Sequence, residues 1–196
     1  MIRLLGRSTS GNVQKVLFLL EELGIAYDRE DYGRQFGNTG TDDYLSMNPT
    51  GKVPTLVDGD LVVWESNSIL RYLAAKTDSP LYPADPAARS RIERWMDWLL
   101  ASLNTPYVSA FKATKGGEAV PPAVAKEIAD GLALLEAQLA DGDFVAGDAL
   151  SLADIALAPI VGRCLGFGLD LPELPAVKAW QARLAERPAY KAAIGG

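Results

Sequence analysis

Short apolar runs and helix-spaced apolar positions alternate along the first 76 residues of the chain. Ile2–Gly6 is mostly apolar, which predicts a short buried strand. Apolar residues then recur at i, i+3 and i+4 from Val13 to Leu23, and this spacing predicts an amphipathic helix. Gly24 follows, and glycine is typical of the position just after a helix. The chain therefore begins with a strand and a helix.

The pattern then predicts a second strand and helix, followed by a hairpin. Residues 26–32 are weakly strand-like, and a short helix is predicted over residues 42–47. Asp58-Gly59-Asp60 separates two apolar runs and is typical of a hairpin turn. Ser66 is interpreted as the cap of a helix that continues through residues 68–75. The predicted order for this part is β-α-β-α-β-β-α.

The pattern changes near residue 80, where a proline-containing segment with no period precedes purely helical spacing. This change predicts a domain of residues 1–76, a linker of residues 77–86 and an all-helical domain of residues 87–196. The fold class expected from the pattern is α/β plus all-α.

Prolines and a capping box define the helices predicted after the linker. Pro86 starts a helical stretch of about 26 residues, and Pro121-Pro122 starts a second helix that runs to Leu139. A third helix begins at Ser151, and Asp154 stands three residues later as in a capping box. Since such boxes ordinarily serve the helix itself, we interpret Asp154 as structural.

Composition limits the function classes that remain open. The 196-residue chain has a net charge of −6, and this acidic balance argues against nucleic acid as a partner. No apolar run approaches the roughly 18 residues of a membrane span, and the start lacks a secretory signal, so a cytoplasmic protein is expected. With no histidine and a single cysteine, Cys164, neither a disulfide within the chain nor metal catalysis is expected.

The segment from residue 51 to residue 73, GKVPTLVDGDLVVWESNSILRYL, predicts a binding site made largely of backbone. Pro54 lacks an N–H at the start of a strand, which leaves neighbouring backbone groups free to pair with a ligand. The helix that opens at Ser66 has N-terminal amides that favour an anion. An extended anionic ligand fits both features.

Five sequence segments, at the expected separations, resemble those of the cytosolic glutathione transferase family. They are RSTSGNVQKV, GKVPTL, WESNSILRYL, SLADIALAP and the closing WQARLAERPAY. The local pattern is most similar to bacterial members of the serine type (theta, beta or nu-like). The resemblance implies a thioredoxin-like N-terminal domain, an all-helical C-terminal domain, glutathione as co-substrate and a homodimer.

The expected reaction adds the glutathione thiolate to an electrophilic small molecule. A free thiol has a pKa of about 8.5, so lowering the pKa by about two units needs about 2.7 kcal/mol. A hydrogen bond to a charged group contributes about 1.5–3 kcal/mol, and a helix N-terminus contributes about 0.3–2 kcal/mol. One hydroxyl at a helix N-terminus therefore meets the requirement without histidine.

Three hydroxyl residues, Ser8, Thr9 and Ser10, lie between the first strand and its helix. We choose Ser10 for two reasons. It stands three residues before Val13, the first apolar position of the helix. Its separation from Gly24 also matches the separation between the catalytic serine and the helix-ending glycine in the serine-type family. Thr9 is the alternative, and a purely structural N-cap is a further interpretation of Ser10. The resemblance also suggests Asn12 as a second donor to the sulfur, although asparagine is an ordinary first-turn residue.

The other groups of glutathione are matched to the segment that contains Pro54. The resemblance implies a cis Val53-Pro54 bond, with the backbone of Val53 pairing with the cysteinyl part of the tripeptide. Ser66 and its amides suit the γ-glutamyl carboxylate, Glu65 the neighbouring ammonium and Lys52 the glycyl carboxylate. An exposed lysine with no ligand is the alternative for Lys52.

Two other functions use the same fold. A glutathione-dependent disulfide reductase would need the same binding residues, whereas a non-enzymatic interaction module has no need of them all together. The wall of the electrophile site is less defined, because Asn104, Tyr107 and Phe111 have helical spacing that is also typical of a core.

Overall fold

A computed structural model describes residues 1–195 of the chain. These residues form two compact units, one of residues 1–79 with the residues from 187 onward, and one of residues 80–186. No helix in the described part of the chain is both long and apolar enough to cross a membrane.

The first unit has the predicted order of elements. It contains β1 (Ile2–Leu5), α1 (Gly11–Leu23), β2 (Tyr27–Glu30), α2 (Asp42–Met47), β3 (Thr55–Asp58), β4 (Leu61–Trp64) and α3 (Ser66–Lys76). The four strands form one sheet in the order β2-β1-β3-β4, in which β1 and β2 are parallel and the other pairs are antiparallel. The predicted thioredoxin-like arrangement of a mixed sheet with helices is confirmed.

The apolar stripe of α1 is buried as its spacing predicts. Val13, Val16 and Leu20 have no exposed surface, and Leu4 in the central strand β1 is equally buried. Gly24 ends α1 in the left-handed conformation, with φ of 63°. That conformation has little steric cost for glycine, so the sequence signal for the end of this helix is confirmed.

The start of α3 differs from the prediction. Ser66 is the first helical residue, and Glu65 occupies the N-cap position without a hydrogen bond from its side chain to the helix. Ser66 is therefore not the cap, although the helix opens at this residue as predicted and ends at Lys76, one residue beyond the predicted 68–75 stretch. The backbone of Glu65 has φ of 71°, an uncommon value for a residue with a side chain.

The second unit is helical, as expected. Its helices are α4 (Pro86–Trp98), α5 (Asn104–Gly116), α6 (Pro122–Leu139), α7 (Leu152–Leu165) and α8 (Pro175–Ala185). A π-helical segment, Leu99–Leu103, joins α4 to α5, so the long predicted helix from Pro86 is helical throughout but not α-helical throughout. The capping box of Ser151 and Asp154 at the start of α7 is confirmed.

Asp154 also organises the interior of the second unit. Its carboxylate is fully buried and accepts hydrogen bonds from the backbone N–H and hydroxyl of Ser151, both at 2.9 Å. It further accepts from the backbone N–H of Val145 at 2.8 Å and the indole N–H of Trp180 at 2.9 Å. One buried carboxylate thus joins the loop before α7 to α7 itself and to α8.

The last helix, α9 (Pro188–Ile194), packs on α1 and belongs to the first unit. The rings of Phe18 and Tyr190 meet edge to face at 5.5 Å, and Arg187 forms an ion pair with Glu22. The predicted division assigned this helix to the all-helical domain by sequence order, whereas its apolar contacts group it with α1.

Candidate functional site

Six of the seven predicted site residues line one cavity in the first unit. The six are Asn12, Lys52, Val53, Pro54, Glu65 and Ser66, and Asn48 and Thr50 complete the lining. They come from the first turn of α1, the loop before β3 and the first turn of α3. Ser10, the seventh, lies outside this lining at the N-cap of α1, two residues before Asn12.

The loop before β3 has the backbone geometry that the resemblance implied. The Val53-Pro54 peptide bond is cis, and Gly51 adopts φ of 63° just before it. Lys52 has an exposed side chain, whereas Pro54 is buried. The loop therefore presents the backbone of Val53 beside a cationic side chain.

Side chains that we did not predict hold this loop in place. The carbonyl of Lys52 accepts hydrogen bonds from the hydroxyl of Tyr44 at 2.6 Å and the amide of Asn48 at 2.9 Å. Asn48 also donates to the hydroxyl of Thr55 at 2.9 Å, and its own Oδ1 accepts from the hydroxyl of Thr50 at 2.7 Å. The Asn-Pro-Thr-Gly sequence from residue 48 was the available signal, because Asn-Pro is typical of a turn.

The hydrogens of this network have one consistent order. The single hydroxyl hydrogen of Tyr44 is used on the Lys52 carbonyl, so in the 2.9 Å contact between Tyr44 and Thr55 the Thr55 hydroxyl is the donor. Thr55 in turn accepts from Asn48. Burial raises the pKa of Tyr44, which keeps its hydroxyl protonated. The carbonyl of Lys52 is thereby fixed by two donors.

Ser10 occupies the N-cap of α1 but does not cap it with its side chain. Its backbone is extended, and its hydroxyl accepts no hydrogen bond from the first-turn amides. The residue is 8% exposed, whereas Ser8 and Thr9 are exposed. The simple N-cap interpretation of Ser10 is therefore wrong for its side chain, which leaves the hydroxyl available to a ligand.

Glu65 and Ser66 stand where β4 turns into α3. Ser66 is buried and lines the cavity, while Glu65 is exposed at its mouth. A positive φ at a residue other than glycine costs about 1–3 kcal/mol and is most frequent at functional sites. The positive φ of Glu65 is consistent with backbone strain at a site that binds a ligand.

The three residues considered for the electrophile site, Asn104, Tyr107 and Phe111, all belong to α5 but have different surroundings. Tyr107 is buried and stacks on Phe167 at 6.1 Å, while its hydroxyl accepts a hydrogen bond from Arg163 at 3.0 Å. Phe111 lines a cavity with Arg163 and Phe167. Asn104 is half-buried and is not part of that lining, so of the three candidates Phe111 is the one that lines this cavity.

Cys164 lies in the core of the second unit. Its side chain is buried, and burial raises the pKa of its thiol to about 12. A thiol in this state is a poor nucleophile, so Cys164 acts as a small hydrophobic residue, as its sequence context indicated.

Two domain families cover most of the chain. Residues 2–75 match the glutathione S-transferase N-terminal domain, and residues 95–188 match the glutathione S-transferase C-terminal domain. The two matched regions correspond to the mixed sheet with its helices and to the helical unit.

Individual relatives agree with these matches. The chain is 38% identical to glutathione S-transferase GstB of Escherichia coli, an alignment that covers 99% of this chain and 98% of the relative. It is 31% identical to glutathione S-transferase 4 of Zea mays, over 96% and 89% of the two chains.

A solved structure has nearly the same fold. The theta class glutathione S-transferase of Xanthomonas axonopodis pv. citri, crystallised with glutathione bound, matches with a TM-score of 0.93 and 37% identity over 98% of this chain and 97% of that one. The chain therefore belongs to the glutathione S-transferase family and is an enzyme of that family.

Proposed function

We propose that this enzyme adds the glutathione thiolate to an electrophilic small molecule, with Ser10 as the hydroxyl that stabilises the thiolate. The observation that carries this proposal is the free hydroxyl of Ser10 at the N-cap of α1, next to a cavity lined by six residues suited to glutathione. The first turn of α1 contains no acidic residue, so no carboxylate of this turn offsets its positive end. An anionic sulfur is favoured at that end.

The remaining groups of glutathione are assigned to the cavity lining. The backbone N–H and C=O of Val53 pair with the cysteinyl residue as an added strand would, next to Pro54. The amides of the first turn of α3 at Ser66 receive the γ-glutamyl carboxylate, and Glu65 receives its ammonium. Lys52 supplies a point charge for the glycyl carboxylate, and Asn12 is a second donor to the sulfur.

Titration of the thiol of bound glutathione tests the role of Ser10. The ultraviolet absorbance of the thiolate is followed against pH in the parent enzyme, in Ser10→Ala and in the matched control Ser8→Ala. We expect Ser10→Ala to raise the thiol pKa by about one to two units, since it removes one hydrogen bond to a charged group. Ser8 is exposed, so Ser8→Ala should leave the pKa of the thiol unchanged.

Two outcomes would overturn the proposal. An unaltered thiol pKa in Ser10→Ala removes Ser10 from the mechanism and returns the assignment to Thr9 or Asn12. A parent enzyme that does not bind glutathione at millimolar concentration removes the glutathione site itself. The cytoplasmic location expected from composition and the homodimer implied by the family resemblance stay predictions.

A further inference from the structure

The assignments above leave the cavity beside Phe111, in the second unit, without a ligand. Its volume is about 360 Å³, which is within the range of small-molecule sites. Two phenylalanine rings and two cationic side chains line it together with two small residues. These residues are Phe111, Thr114, Lys115, Arg163, Gly166 and Phe167, from the ends of α5 and α7 and the turn after α7. The lining therefore combines an apolar part with positive charge.

Aromatic packing holds the apolar part of this cavity in place. The ring of Tyr107 stacks on that of Phe167, and the ring centroids are 6.1 Å apart. The centroid of the Tyr107 ring is also 6.1 Å from that of Phe111. Aromatic rings attract one another at such separations, and Tyr107 itself is buried. One buried ring thus positions both of the rings that line the cavity.

Arg163 is held at the same cavity by two contacts. Its Nη1 donates a hydrogen bond to the hydroxyl of Tyr107 at 3.0 Å. Its guanidinium carbon lies 5.7 Å from the centroid of the Phe111 ring, a distance at which a cation is attracted to an aromatic face. The guanidinium is planar and permanently charged, and its geometry matches that of a carboxylate. A positive charge therefore has a defined position beside the aromatic walls.

Lys115 adds a second positive charge, on an exposed side chain. No aspartate or glutamate of residues 1–195 lines this cavity, although the chain as a whole has a net charge of −6. Both cations stand in the last turn of their helices, where a cation also stabilises the helix. That role explains each cation singly but not their meeting at one cavity with two positioned rings. The cavity as a whole favours an anion.

We propose that this cavity binds an aromatic carboxylate and that the enzyme therefore prefers electrophiles of this class. Phe111 and Phe167 receive the aromatic ring, and Arg163 and Lys115 attract the carboxylate. The preference among electrophiles rests on the proposed function, whereas the binding of the anion does not. With a chloronitrobenzoate, the sulfur–carbon bond forms and the carbon–chlorine bond breaks. Chloride leaves with the bonding electrons, and the proton of the glutathione thiol goes to solvent.

Calorimetric titration with two unreactive probes tests the binding site. The probes are meta-nitrobenzoate and meta-nitrobenzamide, which have nearly the same shape and differ in charge at neutral pH. The parent should bind the benzoate at least about tenfold more tightly, because a hydrogen bond to a charged group contributes this order of affinity. Arg163→Gln should remove most of this preference and leave benzamide binding unchanged. Lys115→Gln should reduce the preference about twofold, since Lys115 is exposed.

Lys112→Gln is the matched control, because Lys112 is exposed on α5 but lies outside the lining. It should leave the affinity for both probes as in the parent. Equal affinity for the two probes in the parent would overturn the anion site, and so would an equal loss of both in Arg163→Gln. If urea unfolding shows that Arg163→Gln is unstable, the comparison of Lys115→Gln with Lys112→Gln decides.

Turnover of the para-chloro derivatives of the same probes tests the substrate class. The kcat/KM for each electrophile is divided by its uncatalysed rate constant with glutathione, which removes the difference in intrinsic reactivity. We expect the parent to favour the benzoate about tenfold and Arg163→Gln to lose this preference. Equal values for both electrophiles, or no reaction with either, would show that the substrate class is wrong. The proposed function is tested separately, by the thiol titration of Ser10→Ala.

Discussion

Replacing Asp154 by alanine should lower the free energy of unfolding by about 3–5 kcal/mol, because three buried N–H donors lose their acceptor together. The carboxylate is fully buried and receives four hydrogen bonds, three of which come from N–H groups, those of Val145, Ser151 and Trp180. The fourth donor, the hydroxyl of Ser151, is free to rotate once its acceptor is gone.

The magnitude follows from the three N–H groups. Each buried donor left without an acceptor costs about 1–3 kcal/mol, which gives a gross loss of about 3–9 kcal/mol. The alanine variant no longer buries a carboxylate, and this gain of several kcal/mol offsets part of the loss. The net loss of free energy of unfolding therefore lies in the lower half of the range of about 3–9 kcal/mol.

Asparagine at position 154 is the matched control. It keeps one oxygen for Val145 and Trp180 but turns an amide N–H₂ toward the backbone N–H of Ser151. One unsatisfied donor in place of three should cost about 1–3 kcal/mol. The free energy of unfolding is measured by urea titration followed by far-ultraviolet circular dichroism. A cost below about 1 kcal/mol for Asp154→Ala, or equal costs for both variants, would refute this account of the hydrogen bonds.

Two further changes test the first unit. A methyl group on Gly6 would come within 2.5 Å of Val13 at the start of α1. Gly6→Ala should therefore lower the free energy of unfolding by about 1–3 kcal/mol and weaken glutathione binding. Urea unfolding that is the same as in the parent would contradict this tight contact. The unfolded chain keeps the proton of Lys15 up to its ordinary pKa near 10.5, whereas the folded chain, in which Lys15 is buried, loses it near 7. The stability of the parent relative to Lys15→Met should therefore rise between pH 7 and pH 10, and a pH-independent difference would show that Lys15 is not buried as a charge.

The order of elements was predictable because each signal lies within neighbouring residues. The period of α1, the left-handed Gly24 after it and the Asp58-Gly59-Asp60 turn need no information from elsewhere in the chain. The packing of α9 on α1 was not predictable in this way, since it joins residues such as Phe18 and Tyr190 from opposite ends of the sequence.

The misassigned cap of α3 has a local physical cause. Serine is favoured at N-caps and glutamate is not, so sequence preference selects Ser66. In the structure Glu65 lies at the turn from β4, adopts a φ of 71° and occupies the N-cap position. Preference for a residue type was outweighed by the path of the backbone, which is consistent with strain at a site that binds a ligand.

Residues proposed to contact the ligand can be predicted from their type, whereas residues that support the site cannot. The role proposed for Lys52 follows from its residue type, because an exposed cationic side chain suits a carboxylate. The carbonyl of Lys52 is held separately by its two hydrogen-bond donors. Asn48 and Tyr44 carry no charge for the ligand, yet they fix the carbonyl and hence the direction of the Val53 backbone. Their role depends on distances across α2, the loop and β3, which spacing along the chain does not encode. The chemistry proposed for the site therefore follows from residue types, whereas the position of its backbone depends on buried polar side chains that only the fold brings together.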